Sequence, residues 1–218
     1  MRLFANLSSE ERANTITHLI AVVATLLLAW PLLHLAYSAQ ITNHRLQIAG
    51  TALFLLGMLM MFASSTFYHA VTNPVHKRRL RVWDHISIYA MIAGSYSPIC
   101  LSVVGGKTGW ILFFFLWGCV LAGTIGKLIA LGRFPRLSLA LYLMMGWVAL
   151  LILAPMWRNM PQPAFWWVVA EGLFYTVGAY FFNLDEKHAF YHAIWHVFIM
   201  LGAASHTIAM FLLLLSNL

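Results

Sequence analysis

Seven long apolar stretches, separated by short polar ones, run the length of this chain. They fall at about 17–37, 46–68, 84–104, 109–131, 136–156, 163–183 and 191–215. Each is close to the ~20 residues that an α-helix needs to cross a bilayer. The pattern predicts an all-α fold, a seven-transmembrane helix bundle over 1–218 with no room for a second soluble domain. The narrowest divisions lie at 104–109, marked by Gly105, Gly106 and Lys107, and at 131–136, marked by Gly132, Arg133 and Pro135. A short amphipathic helix over about 8–16 is expected ahead of the first span. Ser8 reads as its N-cap and Glu11 stands three positions on. Glu11, Asn14 and His18 then share one helical face by i, i+3, i+7 spacing. The apolar run Ile16–Leu33 is too long for the core of a signal peptide and is kept as the first span.

Composition sharpens this reading. Of 218 residues, 62% are hydrophobic and 9% are charged, against about 25% charged in a soluble domain. That excludes a water-soluble globular protein and a disordered chain. The net charge is +7, but the basic residues sit between the spans, so they read as topology signals and not as a nucleic-acid surface. With the N-terminus cytoplasmic, the inner side holds Arg2, Arg12, Lys77, Arg78, Arg79, Arg81, Lys127, Arg133, Arg136 and Lys187. The outer side holds only Arg45, Lys107 and Arg158. The positive-inside rule therefore predicts an N-terminus inside and a C-terminus outside. The expected location is a cell membrane, and the short loops fit a bacterial inner membrane. Cys100 and Cys119 lie in apolar runs and read as packing residues.

Polar residues inside the spans are the candidate chemistry. Of six carboxylates, only Asp84 and Glu171 fall in or at the edge of a span, where an ionisable group is expensive. In this topology span 2 ends, and spans 3 and 7 begin, on the cytoplasmic side. His69, Asp84, His192 and His196 therefore share one depth. His192 and His196 are spaced i, i+4, so both imidazoles face the same way and can chelate one ion. His69 is the expected third nitrogen, and three protein ligands plus a water is the open form of a catalytic zinc site. Ser65, at i−4 from His69, looks the same way. Asp84 is placed to bond a metal-bound water or orient a ligand.

Blander readings stand beside these. An HxxxH pair alone is a weak motif, and Asp84 is also suited to cap span 3. His85 points about 100° away from Asp84 and is not expected to be a ligand. His206 lies ~21 Å beyond His192 along the helix, too far to share the ion, and is expected to line the outer half of a cavity. Glu171, mid-span, should face the interior protonated or paired. A proton gate, a substrate contact and a local hydrogen bond all stay open for it. Trp157, Trp166, Trp167 and Trp195 read as interfacial belts. The methionines read as packing.

Taken together these elements resemble the hemolysin III family, the bacterial branch related to the progestin and adipoQ receptors. The resemblance rests on Ser65-Thr66-Phe67-Tyr68-His69 (SxxxH) and on Asp84-His85-Ile86-Ser87-Ile88-Tyr89 followed by Gly94-Ser95-Tyr96-Ser97-Pro98 (DHxxIY, then GxYxP). It rests also on His192-Ala193-Ile194-Trp195-His196 (HxxxH) and on Glu11, Asn14 and His18 (ExxNxxxH). It covers nearly the whole chain. It implies a zinc ion (Zn2+) near the inner leaflet, held by His69, His192 and His196, with Ser65 and Asp84 close by. Related adiponectin receptors are linked to ceramide hydrolysis, and the wider superfamily includes alkaline ceramidases. The bacterial members are named for haemolysis and tied to membrane lipid homeostasis. Glu171 departs from the pattern, where a small residue is usual.

Three functions follow as expectations. The first is a zinc-dependent membrane hydrolase of a lipid amide or ester, with Asp84 as general base and Ser65 at the oxyanion. The second is a non-enzymatic sensor or receptor in which zinc is structural. The third is a pore-forming hemolysin. Overwhelmingly apolar spans count against a wide pore, and no matching pair of broken helices suggests a transporter. Membrane lipids are the expected substrate or ligand.

Overall fold

The computed structural model describes residues 6–130 and 135–218 of the chain. Arg2, Gly132 and Arg133, used above for orientation and span division, lie outside the described residues, as does the predicted end of span 4 at 131. All regular structure among the described residues is helical: α1 (Ser9–Ser38), α2 (His44–Ala70), α3 (Pro74–Pro98), α4 (Gly106–Ala130), α5 (Pro135–Trp147), α6 (Leu153–Asn159), α7 (Gln162–Phe182) and α8 (Tyr191–Leu215). A π-helical turn, Ile99–Val104, prolongs α3, and a 3-10 turn, Val148–Ile152, joins α5 to α6. Seven helical segments are long and apolar enough to cross a membrane, α5 and α6 together forming the fifth. Their outer faces carry Leu27, Trp30, Ile111, Phe114, Ile129 and Leu151 in the open. Exposed large apolar side chains in such number belong against lipid.

Three local departures from the expected elements have physical causes. The short N-terminal helix over 8–16 is not separate. Ser8 caps it as expected, accepting from the Glu11 amide at 3.2 Å, but the helix continues without a break to Ser38. The helix of span 3 begins at Pro74 and not at Asp84. Pro74 needs no amide partner at the first helical position, and the Asn73 side chain accepts from the Val75 and His76 amides at 3.0 and 3.2 Å. Asp84 is therefore not an N-cap, because it lies in the third turn. The fifth span is interrupted after Trp147. There the Tyr96 hydroxyl donates to the Gly146 carbonyl and accepts the Ala149 amide at 2.8 Å. Irregular backbone at membrane depth needs such an internal partner.

α2 packs most extensively on α3, α8 packs on α7, and α1 bridges α2 and α8. The α2–α3 seam is close because glycines line it. A Cβ on Gly57 would lie 2.8 Å from the Ala90 carbonyl oxygen, and one on Gly94 would lie 2.8 Å from that of Leu53. In a membrane, where no hydrophobic effect drives helices together, small residues let backbones gain dispersion contacts. Ser64 and Ser87 add a hydroxyl pair across the seam at 2.8 Å. Between α3 and α4 the turn passes through Gly105 and Gly106, with φ of +61° and +54°, a conformation that glycine adopts at little cost.

The seam fixes the height of α2 against α3, and with it His69 against Asp84. Gly57→Val is expected to cost about 1–3 kcal/mol by overpacking, lowering the midpoint of thermal unfolding in detergent. Gly118→Val, where a Cβ meets nothing within 4 Å, is expected to leave that midpoint unchanged.

Candidate metal centre

Three imidazoles from two helices meet at the end of the bundle where α1 begins. His69 closes α2, and His192 and His196 occupy the first two turns of α8. Ring centroids lie 5.0 Å apart for His69 and His192, 5.1 Å for His69 and His196, and 4.8 Å for His192 and His196. His69 and His196 are buried and His192 is half-buried. One ring nitrogen from each lies within 4.8 Å of the others.

Each ring is oriented by a different partner. Glu11 Oε2 accepts from His69 Nδ1 at 2.6 Å. Asp185 Oδ2 accepts from His192 Nδ1 at 2.7 Å. His196 Nδ1 donates to the Asn14 carbonyl at 3.2 Å and lies 3.1 Å from Thr17 Oγ1. A carboxylate or a carbonyl only accepts, so the Nδ1 atoms carry the protons. In a neutral ring that leaves Nε2 as a lone-pair donor. The Nε2 atoms of His69, His192 and His196 are all buried with no hydrogen-bond partner. A single such orphan costs roughly 1–3 kcal/mol. Three pointing their chemistry at one place are the arrangement a metal ion resolves, and oriented Nδ1–H bonds are its usual support.

The N-terminal helix supplies much of that support. Glu11 also binds Lys77 Nζ through Oε1 at 2.6 Å, so its carboxylate ties α1 to α2 and α3. His18 stacks on His196, with centroids 3.6 Å apart and planes 10° apart. Its two ring nitrogens and Asn14 Oδ1 are buried without partners. Glu10 Oε1 accepts the Phe190 amide at 2.8 Å. Phe190 has φ +62°, alone among the described non-glycine residues in the left-handed region, a costly backbone for a bulky side chain. Glu10 thus pins the turn two residues before His192.

The other candidates are placed as follows. Asp84 is buried, 3.5 Å from His85 Nδ1. Despite its different heading on the helix, His85 reaches Asp84 with its ring. Ser65 is buried one turn before His69. Glu171 and His206 form a separate pair, Oε2 to Nδ1 at 2.7 Å. Trp195 packs on Phe182 at 4.6 Å and on His196 at 5.3 Å. Asp185 reads from the sequence as a loop acid, yet its carboxylate joins the centre through His192. So do Thr17, through His196, and Lys77, through Glu11. The one available signal was an acid seven residues before a candidate ligand, just ahead of a helix start.

The model of the family described as haemolysin-III related matches residues 7–207. A hemolysin-3 homolog of Bacillus subtilis (strain 168) is 35% identical over 90% of this chain and 90% of its own. Hemolysin-3 of Bacillus cereus is 33% identical over 89% of this chain and 87% of its own. A heptahelical transmembrane protein ADIPOR2 of Oryza sativa subsp. japonica is 29% identical over 74% and 80%. No solved structure matches the chain.

Because the carboxylates act through the rings, their loss should weaken metal binding without abolishing it. Glu11→Gln and Asp185→Asn are each expected to lower metal affinity about 10–100-fold, read by competition with a chelating dye. His69→Ala is expected to remove binding altogether.

Proposed function

This chain belongs to the haemolysin-III related family, and from that premise we propose a metal-dependent membrane enzyme, with zinc as the metal and a lipid amide or ester as the substrate class. It is a multi-pass membrane protein related to adiponectin receptors. The carrying observation is the set of three buried, partnerless Nε2 atoms on rings whose Nδ1 atoms are already committed. An all-imidazole set at the head of a bundle suits zinc, with a fourth position left for a water or a carbonyl. Three neutral rings also approach one another without charge repulsion.

His69, His192 and His196 would hold the ion. Zinc so held polarises a carbonyl and brings the pKa of a water to about 7. Asp84 would then take the proton from the attacking water and return it to the leaving amine or alcohol. Its burial keeps bulk water away, which strengthens its electrostatic effect on the neighbouring rings. Ser65 would donate to the developing oxyanion. Glu11 and Asp185 keep the rings turned inward through the cycle. We place the centre at the cytoplasmic leaflet of a bacterial inner membrane, with the N-terminus inside. The basic residues Lys77, Arg78, Arg79 and Arg81, which flank the start of α3, support that orientation.

Asp84→Asn separates chemistry from architecture. Purified protein in lipid nanodiscs is expected to carry about one zinc per chain and to release fatty acid from a ceramide or a phospholipid. Asp84→Asn is expected to keep the zinc and lose at least ~100-fold in rate. Full retention of turnover in that variant overturns the assignment of Asp84. Absence of turnover on both lipid classes in zinc-loaded wild type leaves the structural-zinc reading as the better one.

A further inference from the structure

The end of the bundle that holds the metal centre carries more positive charge than the chain itself neutralises. Lys77, Arg78, Arg79 and Arg81 all lie in the first eight residues of α3. Lys77 is spent on Glu11. Among the described residues Arg78, Arg79 and Arg81 have no ion-pair partner, and all three are exposed. The neighbouring helices α4 and α5 hold no carboxylate at all. On α4, Lys127 is buried, and its Nζ meets the Ser138 hydroxyl at 2.7 Å and the face of the Tyr142 ring. Tyr142 in turn bonds the His85 carbonyl at 3.0 Å, which places this lysine near the turn that follows Arg81. It too has no counter-ion among the described residues.

Two of these cations stand in a shaped place. Arg78 and Arg79 line a surface groove with Pro74, Val75 and Val82. By helical spacing Val75, Arg78, Arg79 and Val82 share one face. Val75 is 59% exposed, and Trp83, beside Val82, is 56% exposed. The groove therefore sets two guanidinium groups against an apolar wall, and open apolar surface continues along α3 toward the span. Guanidinium forks match phosphate oxygens in geometry and charge. A free anion would use the arginines and leave the valines in water. A lipid phosphate uses both, its diester on the forks and its glycerol and upper chains over Val75, Val82 and Trp83. The sign of the headgroup follows from the acids. Glu11 is committed to His69 and Lys77, and Asp84 is buried. A headgroup ammonium would find no acid on this face and three unpaired arginines around it.

We propose that Arg78 and Arg79, with Val75 and Val82, form a binding site for the phosphate of a net-anionic membrane phospholipid, one whose headgroup is a neutral polyol. The site does not require the metal. It rests on this end of the bundle lying at a membrane surface, as in the orientation proposed above. A lipid so held keeps the start of α3 at the level of the headgroups.

The test uses the full chain in detergent micelles and an ether-linked phosphatidylglycerol, which has no acyl bond for the proposed hydrolase to cut. Native mass spectrometry counts lipid retained per chain, with ether-linked phosphatidylcholine as the comparison. The glycerol lipid is expected to be retained at a concentration roughly tenfold lower. Arg78→Gln with Arg79→Gln is expected to weaken that retention about 30-fold, since each cation beside a phosphate contributes a factor of about five. Phosphatidylcholine retention and zinc content are expected to stay at the wild-type level. Arg45→Gln with Arg158→Gln, which removes the same charge where α2 begins and α6 ends, is expected to change nothing. Equal retention of the two lipids overturns the proposal. So does undiminished retention in the Arg78, Arg79 variant, or an equal loss in the Arg45, Arg158 variant. Displacement by inorganic phosphate at the lipid's own concentration also overturns it, because the ligand is then a free anion. The comparison of the two lipids needs no variant, so it decides even if a variant fails to fold. Zinc is read in the same samples, so loss of the metal centre and loss of this site are told apart.

Discussion

One carboxylate holds this end of the bundle together. Glu11 gives one oxygen to His69 on α2 and the other to Lys77 on α3, and its own amide is tied to the Ser8 cap of α1. In water such an ion pair would contribute little. Here both side chains are partly exposed, and the main product of the pair is orientation. His69 cannot present Nε2 inward unless something holds Nδ1, and α1 cannot stay beside α2 and α8 at this height unless it is held too. The same helix then supplies the Asn14 carbonyl and Thr17 hydroxyl to His196 and stacks His18 on it. The first three turns of α1 are thus part of the centre.

The rest of the fold obeys a related constraint, that polar groups inside a membrane must find partners within the protein. Where the fifth span breaks, Tyr96 bonds to Gly146 and Ala149 on either side. Where α3 loosens into a π turn, the Ser102 hydroxyl bonds the Pro98 carbonyl at 2.7 Å and also reaches Gln47 on α2. Against that economy the partnerless atoms stand out. They are not scattered. Among the described residues, apart from Asn14 Oδ1 and the His18 ring, which adjoin the candidate metal centre, they lie at the three clustered imidazoles or at His206 and Tyr175. An orphan that persists in so well paired an interior points to a missing partner.

The sequence made the seven spans and the histidine cluster legible for the same reason: both are set by periodicity. Apolar runs of membrane length read directly, and i, i+4 spacing puts His192 and His196 on one face whatever surrounds them. Glu11, Asn14 and His18 read as one face for that reason too. Contacts made across the chain did not read. Asp185 looked like a loop acid because nothing local shows that the turn before α8 folds back onto its first imidazole. Along the chain Lys77 reads only as a topology charge, although it ends on Glu11. Asp84 looked like a cap because the hydropathy of α3 starts late. Its first ten residues include His76, Lys77, Arg78, Arg79 and Arg81, yet are helical, since Asn73 and Pro74 set the start ahead of the apolar run.

Glu171 shows how a misfit to a pattern becomes informative once it is placed. From the sequence it was an expensive carboxylate where a small residue is usual. In the structure it is the partner that fixes the ring of His206, as Glu11 fixes His69 and Asp185 fixes His192. The protein repeats one device, an acid bound to Nδ1 that leaves Nε2 open, at two depths. At the head of the bundle three open nitrogens converge, which is a ligand set for an ion. Deeper in, His206 alone carries a partnerless nitrogen beside its acid, which is too few donors for an ion. The difference in chemistry between the two places comes from the count of rings.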